Sequence, residues 1–265
     1  MKLLLTGVTG VAGLAIYRRA LEDPEVTHIT LLTRRPVPDW AVLPPNASSK
    51  TTTIIHTDFL SYPTGLAKQL AENDACIWAL GRSAVGMTEE EYTATTYTNV
   101  MNAARAVKDA GVGEGRPVDK PFRIVYISGE GADPSQKSWQ MWANVKVREC
   151  LINRRPLLFT AIGQGRTEKD LTEFCNSTPG MKARIYRPGY FFPSKMYPED
   201  RKHQRSATMG RVDNVMTPAI KCLVPSTYTP TEELGTFAVE LAKGRWPDKD
   251  FYRNADMRKL VTEVK

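Results

Sequence analysis

The sequence predicts a doubly wound α/β fold on a parallel sheet, and three observations carry that prediction. Short apolar runs recur along the chain with helical text between them. A glycine-rich turn joins the first run to the first helix. The length of 265 residues suits one sizeable core.

The elements follow in order. "KLLLT" (2–6) opens the chain, then "HITLLT" (28–33), "TTIIHT" (52–57), "ACIWAL" (75–80), "RIVYIS" (123–128) and "ARIYR" (183–187). Most are continuously apolar, as strands covered on both faces should be. Helical text fills the gaps, notably "GLAIYRRALED" (13–23) and "TTYTNVMNAARAVKDAG" (95–111), the latter stopped by Gly111. After "ARIYRPG" the alternation weakens, and residues 190–230 are rich in Pro, Tyr, Phe and Met. A last helix, "TPTEELGTFAVELAKG" (229–244), has Thr231 as its expected cap and Gly244 as its stop. Residues 1–189 therefore read as one nucleotide-binding domain. Residues 190–265 read as a C-terminal segment packed on that domain, covering the carboxyl ends of the strands, where substrate would bind.

Composition narrows the function. Apolar residues make up 42% and charged residues 25%, ordinary values for a globular chain. No apolar run has the length of a membrane span, and "MKLLLTGVTG" is too short and too glycine-broken for a signal peptide. A cytoplasmic protein with no membrane partner is the expectation. The cysteines, at 76, 150, 175 and 222, form no C-x-x-C pair, and the histidines stand apart at 28, 56 and 203. No metal site is expected. The net charge of +7 is spread along the chain, and its densest patch, "EDRKHQR" (199–205), carries two acids. That pattern describes a solvated surface and no nucleic-acid partner.

The stretch "TGVTGVAG" (6–13) carries the chemistry. Gly7 permits a tight turn after the first strand, Gly10 lets backbone approach a pyrophosphate, and Gly13 allows close helix packing. Thr9 and Val11 lie in the same loop, whose helix offers free N–H groups and a positive dipole to phosphate. An NAD site would place an acid at the end of the second strand. Here stand Thr33, Arg34 and Arg35. Paired guanidinium groups suit a ribose 2′-phosphate, so NADP(H) is favoured. A bare structural turn and a solvated basic pair are the plainer alternatives.

These motifs, with "HTDFL" (56–60), "WALG" (78–81), "YISGEGAD" (126–133), "VKVRE" (145–149) and "RIYRPGYFFP" (184–193), span most of residues 1–195. Together they resemble the atypical short-chain dehydrogenases/reductases, in particular the Tat-interacting oxidoreductase-like proteins and fungal nucleoside-diphosphate-sugar epimerase-like proteins. The resemblance implies a Rossmann-type fold with bound NADP(H). It implies that Asp58 and Phe59 contact the adenine. Ala79, Leu80 and Gly81 would run along the cofactor, Asn99 would open the family's "NV" helix, and Pro188 would pass beside the nicotinamide. Ser128 and Lys146 would be the catalytic Ser and Lys. Tyr190, Phe191 and Phe192, with Met196, could line an apolar substrate pocket and Glu130 could border it. Pairing as a homodimer is common in the superfamily, though no apolar stripe here specifies it.

The chain departs from the pattern twice. Trp142 stands where the catalytic Tyr belongs, four residues before Lys146. An indole N–H donates but does not titrate, so it cannot relay a proton. Tyr126, Glu130, Tyr186 and Tyr190 are the conceivable substitutes. Second, "CLINRRPLLFTAIGQG" (150–165) reads as an insertion, with Arg154-Arg155-Pro156 breaking the helix of the family pattern. Three functions remain open. One is an NADP(H)-dependent oxidoreductase of a small, largely apolar carbonyl or imine, of the kind found in fungal secondary metabolism. Another is a redox-neutral isomerase or cyclase keeping NADP(H) as structure. The third is a non-catalytic NADP(H) sensor.

Overall fold

The computed structural model describes residues 1–81, 87–132, 155–204 and 227–264, with only the backbone course given for residues 89 and 155–162. The elements run β1 (Lys2–Thr6), α1 (Val11–Glu22), β2 (His28–Thr33), α2 (Ala47–Lys50), β3 (Thr51–Ile55), α3 (Thr64–Ala71), β4 (Ala75–Trp78) and α4 (Glu89–Thr93). A π-helical turn (Ala94–Thr98) leads into α5 (Asn99–Asp109), followed by β5 (Phe122–Ile127), α6 (Arg155–Asn176), β6 (Met181–Arg187), α7 (Pro198–Gln204), α8 (Thr231–Lys243), β7 (Phe251–Arg253) and α9 (Asn254–Leu260).

Among the described residues seven strands form one sheet in the order β3-β2-β1-β4-β5-β6-β7. Every neighbouring pair is parallel, so all seven carboxyl ends share one edge. The reversal of strand order between β1 and β4 opens a crevice at that edge. All six expected strands are present, and β7 is additional. The apolar runs are continuous because both faces are covered. Leu3, Leu5, Ile29, Leu31 and Ile77 face the core beneath α1 and α8, whereas Leu4, Leu32, Cys76 and Trp78 face the core beneath α3, α5 and α6.

Two local expectations are corrected. Helix, expected to resume at Arg166, begins at Arg155: α6 runs from Arg155 to Asn176, and residues 150–154 of the segment read as an insertion lie outside the described residues. Pro156 falls in its first turn, where a missing N–H costs no helical hydrogen bond. Thr231 does not cap α8. Pro230 holds the cap position, and the Thr231 hydroxyl donates instead to the carbonyl of Phe192 at 2.5 Å. The expected stop at Gly244 is present, with φ at 93°.

The packing of α8 on α1 is pinned at one end by charge. Lys243 Nζ lies 3.1 Å from Asp23, 2.6 Å from Glu25 and 2.8 Å from Glu240. Burial pushes the Asp23 carboxyl up, but the Lys243 hydrogen bond and charge outweigh it and hold it below the usual range. The stabilisation is therefore whole above the unfolded Asp value of about 3.9 and fades as pH falls through the lower folded value. The wild-type melting temperature should accordingly drop more steeply than that of Asp23→Asn between about pH 5 and pH 3, as read by circular dichroism.

Candidate functional site

The crevice is built from four strand ends. After β1 the chain turns at Gly7, whose φ is 72°. A Cβ there would sit 2.3 Å from the Ala79 carbonyl oxygen, and one on Gly13 would sit 2.0 Å from the Gly7 oxygen. Only glycine permits both approaches, and they place the start of α1 against β1 and β4. The Gly10 amide closes the turn on the Gly7 oxygen at 3.0 Å. Gly10 is the N-cap of α1 and gives no side-chain bond to its first turn. The leading N–H groups of that helix, those of Val11, Ala12 and Gly13, thus have no intrahelical acceptor.

Gly7, Thr9, Leu32, Thr33, Arg34, Arg35, Phe59 and Leu80 line the crevice together. The Thr33 hydroxyl donates to the Arg35 carbonyl at 2.9 Å and shapes the turn after β2. Arg34 and Arg35 are exposed, and neither guanidinium has an ion-pair partner among the described residues. Phe59 is buried, meeting the Trp78 ring edge-on at 6.0 Å. Asp58 is exposed, and its carboxylate accepts the Leu60 amide at 3.0 Å. Ala79 and Leu80 are fixed by a residue the sequence did not single out: the Thr6 hydroxyl accepts the Leu80 amide at 3.3 Å. Gly81 follows, exposed.

Beyond the crevice the ends of β5, β6 and β7 form a second wall. Ser128 is 6% exposed, and its hydroxyl has no hydrogen-bond partner among the described residues. The Glu130 amide donates to the Pro188 carbonyl at 3.1 Å. Its carboxylate accepts the Asn254 amide at 3.4 Å and lies 3.7 Å from the Arg253 guanidinium. Asn254 Oδ1 in turn accepts the Thr229 hydroxyl at 2.6 Å, and that hydroxyl accepts the Gly189 amide at 2.8 Å. One chain of hydrogen bonds thus ties three strand ends together. Arg253, Asn254 and Thr229 escaped the sequence reading because no motif marks them.

Of the expected pocket residues, Tyr190 is 64% and Met196 70% exposed. Phe191 packs against the core beneath α1 and α8. Phe192 stacks on Tyr228 with ring centroids 6.3 Å apart. Trp142 and Lys146 lie outside the described residues. Two substitutes for the missing Tyr are corrected. Tyr126 and Tyr186 are core residues of β5 and β6, 2% and 0% exposed, and burial pushes both hydroxyls well above the ordinary tyrosine value. Neither is placed to pass a proton to a substrate. Among the described residues no cluster of His, Cys, Asp and Glu is arranged to hold a metal ion, and no helix is long and apolar enough to cross a membrane.

The glycine turn and the basic strand end meet at one crevice on a Rossmann-type fold. Comparison with solved structures gives the same architecture. Yeast methylglyoxal/isovaleraldehyde reductase Gre2, complexed with NADPH, superposes with a TM-score of 0.64 at 14% identity, covering 96% of this chain and 77% of that one. The PhqB reductase domain of Penicillium fellutanum superposes at 0.59 with 15% identity, covering 99% and 70%. The chain has the fold of the short-chain dehydrogenases/reductases and their epimerase relatives. By sequence it is 28% identical over 131 residues to the leucinostatins biosynthesis cluster protein T of Purpureocillium lilacinum, covering 49% of this chain and 44% of that protein. It is 34% identical over 131 residues to protein fmp52, mitochondrial, of Emericella nidulans, covering 49% and 51%. The chain thus spans about half the length of the curated relatives it matches. No family model matches.

Proposed function

We propose that the protein is an NADP(H)-dependent oxidoreductase of a small, largely apolar carbonyl or imine compound. One observation carries the reading: two exposed arginines, without an ion-pair partner among the described residues, stand at the end of β2, beside a crevice built on a glycine turn. Their guanidinium groups would hold the 2′-phosphate, and the first turn of α1 the pyrophosphate. When bound, NADP(H) supplies a hydride donor or acceptor. Ser128, whose buried hydroxyl has no partner among the described residues, would orient the substrate oxygen or nitrogen; Lys146 would hold the nicotinamide ribose. An imine fits best with Trp142 at the Tyr position, because its nitrogen is protonated before hydride arrives. The matches to a leucinostatins cluster protein and a PhqB reductase domain support a place in fungal secondary metabolism. We place the chain in the cytosol, acting on a free small molecule, although two matched relatives are named mitochondrial.

A second reading is favoured by Trp142 together with the burial of Tyr126 and Tyr186: a redox-neutral isomerase or cyclase that keeps the nucleotide as structure. A pure NADP(H) sensor would leave the Ser128 hydroxyl without a use.

The test is a fluorescence titration with NADPH and NADH. Replacing Arg34→Ala and Arg35→Ala together should weaken NADPH by about 100-fold, from two charge-assisted contacts of roughly 1.5 kcal/mol each, and leave NADH within about twofold. Equal binding of the two nucleotides by the wild type, or no binding, overturns the reading. Turnover of aldehyde and cyclic-imine panels, with nucleotide consumption followed, then separates reductase from isomerase.

A further inference from the structure

The segment that follows Gly189 leaves the second wall for α1. It is anchored at one end by Phe192, whose carbonyl accepts the Thr231 hydroxyl, and by Ser194, whose hydroxyl donates to Glu232 at 2.5 Å. It then runs into α7, which lies against α1 and the loop of residues 36–46. Asp200 accepts two hydrogen bonds from Arg18 of α1, at 2.5 and 2.9 Å, and both residues are buried. The Tyr197 ring covers the Arg18 guanidinium at 3.5 Å. Arg18 Nε donates to the Val42 carbonyl at 2.8 Å. The exposed ring of His203 stacks on Trp40, with centroids 4.8 Å apart and planes 5° from parallel.

Trp40 and Val42 belong to the loop that begins at Arg34 and Arg35, and Pro36 and Pro38 stiffen the link between them. A buried ion pair adds little net stability, since desolvation offsets most of the attraction; its best-attested use is to fix registry. We infer that Arg18, Tyr197, Asp200 and His203 are positioning residues for cofactor choice. They hold the 36–46 loop so that both arginines meet one phosphate, and they couple that loop to the segment that runs from the second wall. The inference rests on the reading of Arg34 and Arg35 as 2′-phosphate contacts.

The experiment is a nucleotide titration of Asp200→Asn and His203→Ala, each alone and combined with Arg34→Ala/Arg35→Ala. Each single variant should weaken NADPH about tenfold and leave NADH within about twofold, with no further loss when the arginines are absent. His203→Phe, which keeps a stacking ring, should retain NADPH affinity. Equal losses for both nucleotides, or losses that persist without the arginines, would mean that α7 merely supports the fold. If Asp200→Asn does not fold, the exposed His203→Ala and His203→Phe pair decides alone. If the arginine variant loses NADPH but the α7 variants do not, only the positioning role fails. If the arginine variant changes nothing, the cofactor reading fails and the positioning role falls with it.

Discussion

Glu168→Ala should destabilise the protein by about 3–5 kcal/mol, more than any surface substitution. Glu168 on α6 meets Arg187 at the end of β6, with Arg187 Nε donating to Oε1 at 2.8 Å. Both residues are 3% exposed, and the guanidinium also covers the Phe251 ring at 4.6 Å. Removing the carboxylate leaves a charge that can reach neither water nor a partner. The loss is a large share of a total stability of about 5–15 kcal/mol and should lower the melting temperature by roughly 10 °C. Joint replacement of Glu168→Leu and Arg187→Met should recover much of it, because no lone charge remains. A double variant as unstable as the single one would show that specific hydrogen bonding dominates. Arg187 directly precedes Pro188 and Gly189, so the single variant should also disturb the second wall.

Gly13→Ala should abolish nucleotide binding and cost several kcal/mol of stability. The added methyl would sit 2.0 Å from the Gly7 oxygen, a backbone atom that cannot rotate away. Either α1 withdraws from β1 or the turn at Gly7 opens. Both movements pull the leading N–H groups of the helix off the crevice. Gly65→Ala, where a Cβ would meet nothing within 4 Å, is the control and should leave both properties intact. Unchanged NADPH affinity in Gly13→Ala would remove α1 from the binding surface. Differential scanning calorimetry and nucleotide titration read the two effects separately.

How much of the fold and the crevice was legible depended on range. The strands β1 to β6 are visible because a strand buried on both faces must be apolar throughout. β7 is three residues, Phe251–Arg253, with only Tyr252 buried, and gives no such run. The crevice is visible because its turn, its helix start and its arginines are each set by neighbours in sequence. The long-range pairs are not: Glu130 with Asn254, Glu168 with Arg187 and Arg18 with Asp200 join residues 124, 19 and 182 apart. No periodicity links such partners, since topology alone brings them together. The start of α6 was hidden for a local reason: Arg155-Pro156 suits a break and a first helical turn equally well, and only the packing of the helix behind it decides between them.

The parallel sheet also sets an order of birth. The crevice at residues 7, 9, 32–35, 59 and 80 draws on β1 to β4, all synthesised within the first third of the chain. The opposing wall is completed by Asn254, which links Glu130 through Thr229 to Gly189. During synthesis from the N-terminus, the β1–β4 crevice can therefore assemble while the neighbouring wall still lacks its far side. On the function proposed above, a nascent chain of this kind would gain its grip on a dinucleotide before it acquires a surface for choosing what to react with it.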